Sequence, residues 1–138
     1  MTIQAAQIEV GTELPVIDIP PISRTTLALF AGASGDHNPI HLDQDVARSA
    51  GLDDVFAQGM LSMAYLGRLL TDWAPQESLR SFEVRFVAIT PLHAAPRLTG
   101  RVTSIDAVDG ERRATVDVTA ALSGGGPTLT GTAIIAIG

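Results

Sequence analysis

Between residues 34 and 43 the chain reads S-G-D-H-N-P-I-H-L-D, a stretch that holds two of its three histidines, two aspartates and an Asn-Pro turn signal. Asp36 and His41 are the pair with the makings of proton-transfer chemistry. Histidine titrates near neutral pH, and a carboxylate beside it can fix its tautomer or share its water. Fully extended, the intervening residues would hold the two backbones about 16 Å apart. Asn38-Pro39 favours a turn, however, and Pro39 pushes Asn38 out of the helical region, so a folded loop lets the two converge. A plainer alternative has Asp36 capping the following turn through its backbone and His41 sitting as a satisfied core histidine; spacing alone leaves both open. A metal reading takes His37 and His41, four apart, with Asp36 or Asp43. Pro39 between the histidines disfavours the continuous helix that this spacing needs, so no metal site is expected.

A second stretch is A-Q-G-M-L-S, residues 57–62. A glycine at the mouth of an apolar helix offers unshielded backbone N–H groups and the positive end of a helix dipole, which suits a developing oxyanion. The alternative is that Gly59 only eases the chain into the helix while Ser62 satisfies its hydroxyl on a first-turn backbone group.

Composition narrows the chemistry. The chain has no cysteine, which removes disulfides, thiolate nucleophiles and cysteine-bound zinc. All nine basic residues are arginine, which removes Schiff-base catalysis by lysine. The net charge of −6 argues against a nucleic-acid partner, since phosphate-binding surfaces are basic. Arg80, Arg85, Arg97 and Arg101 do cluster in one third of the sequence, either on solvated strand faces or as a patch for an anionic ligand. With 138 residues and 46% hydrophobic composition, residues 1–138 are expected to form one ordered domain. Neither a membrane span nor a secretory leader is read, so a cytoplasmic location is the expectation.

The elements that must position these residues follow from their patterns. Pro15 to Pro21 is Pro-punctuated and extended; Ser23 caps a short helix that Gly32 or Gly35 ends, and Asp43 to Ala50 forms another that Gly51 ends. Residues 60–73, M-L-S-M-A-Y-L-G-R-L-L-T-D-W, are apolar nearly all round, which predicts a core helix buried on most sides and stopped by Pro75. From Ser81 the period becomes two. Phe82, Val84 and Phe86 alternate with Glu83 and Arg85; residues 97–106 form a more weakly patterned strand; Ala114 to Ala120 and Leu129 to Ile137 alternate again. Turn signals fall at Thr90 to Pro96, Asp109-Gly110 and Gly124 to Pro127. One apolar helix wrapped by an antiparallel sheet satisfies both periods, an α+β fold. Such a sheet has edges, and pairing them across a two-fold axis hides them, so a dimer is expected.

Taken together, A-G-A-S-G-D-H-N-P-I-H-L-D at 31–43, A-Q-G-M-L-S at 57–62 and V-R-F-V-A-I-T-P at 84–91 resemble the MaoC-like family of (R)-specific enoyl-CoA hydratases and (3R)-hydroxyacyl-ACP dehydratases, the mycobacterial type included. The likeness runs in order over almost the whole chain, and D-x-N-P-I-H is its most specific part. It implies a hot-dog fold, a curved antiparallel sheet around one long helix, with two such units paired as a homodimer or with a related subunit. It also implies an acyl-CoA or acyl-ACP substrate and no cofactor. Asp36 and His41 match the family's catalytic dyad, and Gly59 the backbone N–H that stabilises the thioester enolate. Asn38 matches the loop position beside the dyad, Ser62 a nearby hydroxyl, and Gln58 and Met60 fall where substrate is bound. Many relatives carry histidine where Gln58 stands, and Pro-Gly-Asp where this chain has P-L-H-A-A-P, which makes His93 a surface residue. Rival functions are a hot-dog acyl thioesterase and a non-catalytic acyl-binding subunit of a heterodimer. The intact Asp36 and His41 pair speaks against the second.

Overall fold

The helix caps read from the sequence are in place. A computed structural model of the chain describes residues 7–138. The Ser23 hydroxyl accepts the Thr26 N–H at 3.1 Å to open helix α1 (Arg24–Ser34), and Gly35 ends it in the left-handed region at φ 81°. Asp43 opens the short helix α2 (Gln44–Ser49) by accepting from the Asp45 N–H. A 3-10 turn over Pro39–His41 lies between them. Helix α3 spans Gly59–Trp73, and Ala74 is already extended ahead of Pro75.

The described residues place five strands in one antiparallel sheet: β1 (Ile17–Asp18), β2 (Leu79–Phe86), β3 (Arg97–Val108), β4 (Glu111–Ala121) and β5 (Pro127–Ala136), in the spatial order β1-β3-β4-β5-β2. Asp109 and Gly110 join β3 to β4 with φ 52° and 79°, the two positive values that a tight two-residue hairpin turn requires. The Pro-punctuated segment supplies β1, which runs along β3. At the far side β2 pairs with β5, and no other described strand covers its outer edge.

The period-two pattern sorts the sheet faces. Leu98 and Val102, then Ala114, Val116, Val118 and Ala120, then Leu129, Ala133 and Ile135 are all buried and form the core, whereas Asp117 lies exposed on the opposite face. Leu66, Leu69, Leu70 and Trp73 of α3 join the same core, and full burial of a side chain of this size stabilises by about 1.5–3 kcal/mol. The result is an α+β hot-dog fold.

One expectation is corrected and one is met. The apolar girth of residues 60–73 predicts burial on most sides, yet only the stripe Leu61, Ser62, Leu66, Leu69, Leu70 and Trp73 is buried, while Met60, Ala64, Arg68 and Thr71 face outward. One sheet can cover only one side of a helix. Residues 97–106 are weakly patterned as read: Leu98, Gly100 and Val102 turn inward, with Leu14 packed over Gly100, but the register shifts between Val102 and Ser104 and the alternation stops there.

Candidate active site

A chain of short local bonds folds the loop that carries Asp36 and His41. The Ser34 hydroxyl accepts the Asp36 N–H at 3.2 Å, Asp36 Oδ1 accepts the Asn38 N–H at 3.3 Å, and Asn38 Oδ1 accepts the Ile40 N–H at 3.1 Å. Each is a side chain bonding the backbone two residues on, the device by which Asp, Asn and Ser tighten turns. Pro39 then starts the 3-10 turn, and His41 N–H donates to Asn38 O at 3.1 Å. Asp36 Oδ2 thereby lies 3.8 Å from His41 Nε2. Asp36 is placed for either reading: Oδ1 bonds the turn and Oδ2 faces the imidazole.

His41 is held on its other side. Its Nδ1 is 2.8 Å from the carbonyl oxygen of Phe56, which can only accept, so Nδ1 carries the proton and a neutral ring presents its lone pair at Nε2. The ring also packs edge-on to Phe56, with centroids 4.8 Å apart and planes at 77°. The His41 side chain is 10% exposed and that of Asp36 40%, so the pair sits at a boundary between core and solvent. A gap of 3.8 Å is too long for a direct hydrogen bond, but a water about 2.8 Å from both atoms fits between them.

Residues 56–58 form a strap from this loop into α3. Phe56 bridges to Pro91, and the Ala57 N–H donates to Thr90 O at 2.9 Å. Gln58 is wholly buried; its Nε2 donates to Leu27 O in α1 at 3.0 Å, and its Oε1 has no hydrogen-bond partner. Because the Gln58 side chain makes no bond to the end of α3, the first-turn N–H groups of the helix are left uncapped by it. A cavity of 330 Å³ opens there, lined among others by Phe56, Gly59, Ser62, Phe86, Thr90 and Leu129. Inside it the Ser62 and Thr90 hydroxyls lie 3.4 Å apart, both buried. The wall is thus apolar, with a hydroxyl pair and a helix N-terminus as its polar features. A larger groove of 520 Å³, lined by Glu83, Arg85, Asp117 and Thr132 among others, opens on the opposite side of the sheet and holds no carboxylate–imidazole pair.

A family model described as MaoC like domain matches residues 6–123. The chain belongs to the MaoC-like family. It is therefore an enzyme of the hydratase and dehydratase kind, a hydro-lyase. The 3-hydroxyacyl-thioester dehydratase Z of Mycobacterium tuberculosis is 28% identical over 121 residues, covering 83% of this chain and 80% of that protein. Among solved structures, the ChsH1-ChsH2 complex from Mycobacterium tuberculosis matches with a TM-score of 0.82 at 25% identity, over 94% of this chain and 98% of that one. R-Hydratase PhaJ1 from Pseudomonas aeruginosa, in the unliganded form, matches with a TM-score of 0.81 at 26% identity, over 96% of this chain and 84% of that one.

In this MaoC-like domain Asp36 and His41 converge, and Gly59 and Ser62 share a cavity whose wall, Phe56, also holds His41. Asn38 spends its side-chain oxygen on the turn, Met60 is 55% exposed, and Gln58 bonds to α1 away from the residues lining that cavity. His37 and His93 are exposed, and no group of three or more metal-ligating side chains forms among the described residues. Sequence reasoning does not find Phe56, Phe86 or Thr90. Phe56 acts through its backbone carbonyl, which leaves no signature, whereas Thr90 stands inside the V-R-F-V-A-I-T-P stretch and was legible as a lone hydroxyl in an apolar run. Among the described residues no helix is long and apolar enough to cross a membrane.

Proposed function

We propose that this enzyme adds water to trans-2-enoyl thioesters to give (3R)-3-hydroxyacyl thioesters, and catalyses the reverse dehydration, on CoA- or ACP-linked substrates. The observation that carries this reading is Asp36 Oδ2 facing His41 Nε2 at 3.8 Å while the Phe56 carbonyl holds Nδ1. Water at neutral pH is too weak a nucleophile to attack the β-carbon unaided. Held between the two groups, it gives one proton to the dyad as its oxygen bonds to Cβ, and the dyad delivers a proton to Cα on the same face. Atoms balance: H and OH have been added across the double bond, and the dyad returns to its starting state. Acid–base help of this kind is worth about 10²–10⁴-fold.

As Cβ is attacked, negative charge collects on the thioester oxygen. The Gly59 N–H, at the N-terminus of α3 and on the cavity wall, is the group we assign to it. A well-placed donor of this kind contributes about 3–4 kcal/mol to the transition state. The acyl chain runs along Phe56, Phe86 and Leu129, with Ser62 beside it. None of these steps uses a cofactor. The edge of β2 that no other described strand covers, with Phe86, Val87 and Ile89 exposed at its end, supports pairing with a second hot-dog unit, identical or related.

The test is hydration of crotonyl-CoA, followed by loss of the enone absorbance, in the wild type and in Asp36→Asn and His41→Gln. Wild-type turnover in either variant removes the dyad from the mechanism. A mainly (S)-3-hydroxy product, or release of free thiol in place of hydration, sinks the assignment.

A further inference from the structure

Gln58 is the most deeply buried polar side chain among the described residues, with none of its surface exposed. Its amide is only half used: Nε2 donates to Leu27 O at 3.0 Å, while Oε1 stays unpaired. The assignment of nitrogen and oxygen follows from the partner, since a carbonyl cannot donate. As a device for stability this is poor, because a stranded buried acceptor costs at least as much as one neutral hydrogen bond returns. Such groups persist at places where geometry has another use.

That use follows from what the bond connects. Leu27 lies in α1, which runs through Gly35 directly into Asp36. Gln58 lies in the strap between Phe56, whose carbonyl holds His41, and Gly59, whose N–H opens α3. The dyad thus hangs on one segment and the helix N-terminus on another. Deep in the site the two are tied by Gln58 Nε2 to Leu27 O and by His41 Nδ1 to Phe56 O; at the surface Arg24 and Asp54 tie them again. Of these, the Gln58 bond is the one that joins α1 to the residue next to Gly59. Leu27 O, inside a helix, also accepts its ordinary i+4 bond, so it does not depend on Gln58 for a partner.

We propose that Gln58 is a positioning residue: its amide sets the distance between the Asp36–His41 pair and the Gly59 N–H, at the expense of fold stability. The inference rests on the hydration reading above. It assigns Gln58 to the alignment of the two halves of the site, with no contact to the acyl group. Alignment errors of about 1 Å cost on the order of 100-fold in rate.

The experiment compares wild type, Gln58→Leu and Gln58→His on crotonyl-CoA, with thermal unfolding of each. Leucine fills the space without an N–H; histidine keeps an N–H for Leu27 O. Gln58→Leu should lower kcat by roughly 10- to 100-fold with KM within two-fold, and its unfolding midpoint should equal or exceed the wild type's. Gln58→His should recover most of kcat. Undiminished kcat in Gln58→Leu overturns the inference and leaves the hydration reading standing; so does a loss of kcat that comes with a lower midpoint in both variants, which would mark a packing role alone. A wild-type protein inactive on enoyl thioesters would overturn the hydration reading itself, and this inference with it.

Discussion

His41 Nδ1 lies 2.8 Å from the carbonyl oxygen of Phe56, fifteen residues further along the chain, and this bond sets which nitrogen faces Asp36. With a proton on Nδ1, Nε2 is the nitrogen turned toward Asp36. In the proposed mechanism Asp36 and His41 act as one unit on one water, so removing either should cost about 10²–10⁴-fold in kcat/KM. The double variant Asp36→Asn/His41→Gln should be hardly slower than the worse single variant, because the partner left behind has nothing to work with. Additive losses, measured on crotonyl-CoA, would show that the two groups work separately.

Gly59 stands at the first position of α3, where proline is tolerated, and Gln58 before it has φ −57° and ψ 136°, the conformation that a following proline prefers. Gly59→Pro therefore deletes one N–H while the helix stays. Turnover should fall by about 10²–10³-fold. Gly59→Ala is the control: its added carbon would meet the ring of Phe86 at 3.0 Å, but Phe86 is 53% exposed and free to swing. If proline and alanine reduce kcat equally, crowding is the cause and the N–H has no part.

At the open end of the sheet, Arg80 and Arg113 both bond Glu111, at 2.7 and 2.8 Å, and hold its carboxyl down at about 2, well below its ordinary value of 4.5. A carboxyl whose folded value is depressed stabilises the fold above its unfolded value and loses that contribution as pH falls through the folded one. Comparing wild type with Glu111→Gln by urea unfolding, the wild-type advantage should be full at pH 7, shrink below about pH 4.5 and vanish near pH 2. A pH-independent difference would mean that the charge of Glu111 is immaterial.

Two glycines in the sheet should respond very differently to alanine. A Cβ on Gly131 would lie 2.4 Å from the backbone oxygen of Glu83, in the ladder that attaches β2. A Cβ on Gly100 would meet the Leu14 side chain first, at 3.1 Å. Gly131→Ala should cost about 1–3 kcal/mol or more, through overpacking against backbone that cannot yield, and Gly100→Ala clearly less. Chemical denaturation ranks the two. Because β2 carries Phe86 onto the cavity wall, Gly131→Ala should also weaken substrate binding.

Much of this molecule is legible one short window at a time. Ser23, Asp43, Gly35 and the Asp109-Gly110 turn announce their conformations because caps and turns are decided within four residues. Alternation in β4 and β5 gives the buried face directly, and Asn38-Pro39 marks the bend in the loop that carries Asp36 to His41. Where the reading failed it lacked a neighbour: the apolar girth of α3 says that it packs, whereas the single sheet beneath decides that one side stays open.

What lies between distant segments is a different matter. The Phe56 carbonyl on His41, the Thr90 hydroxyl beside Ser62 and the Leu27 carbonyl on Gln58 join residues 15, 28 and 31 positions apart. Two of the three use a backbone oxygen, which every residue possesses and no side chain advertises. The chain spells out its reactive groups and local bends by chemical type and spacing. Their mutual aim is set only once α1, the strap and the sheet are packed together, because a hydrogen bond depends on a few tenths of an ångström that nothing short of the assembled fold supplies.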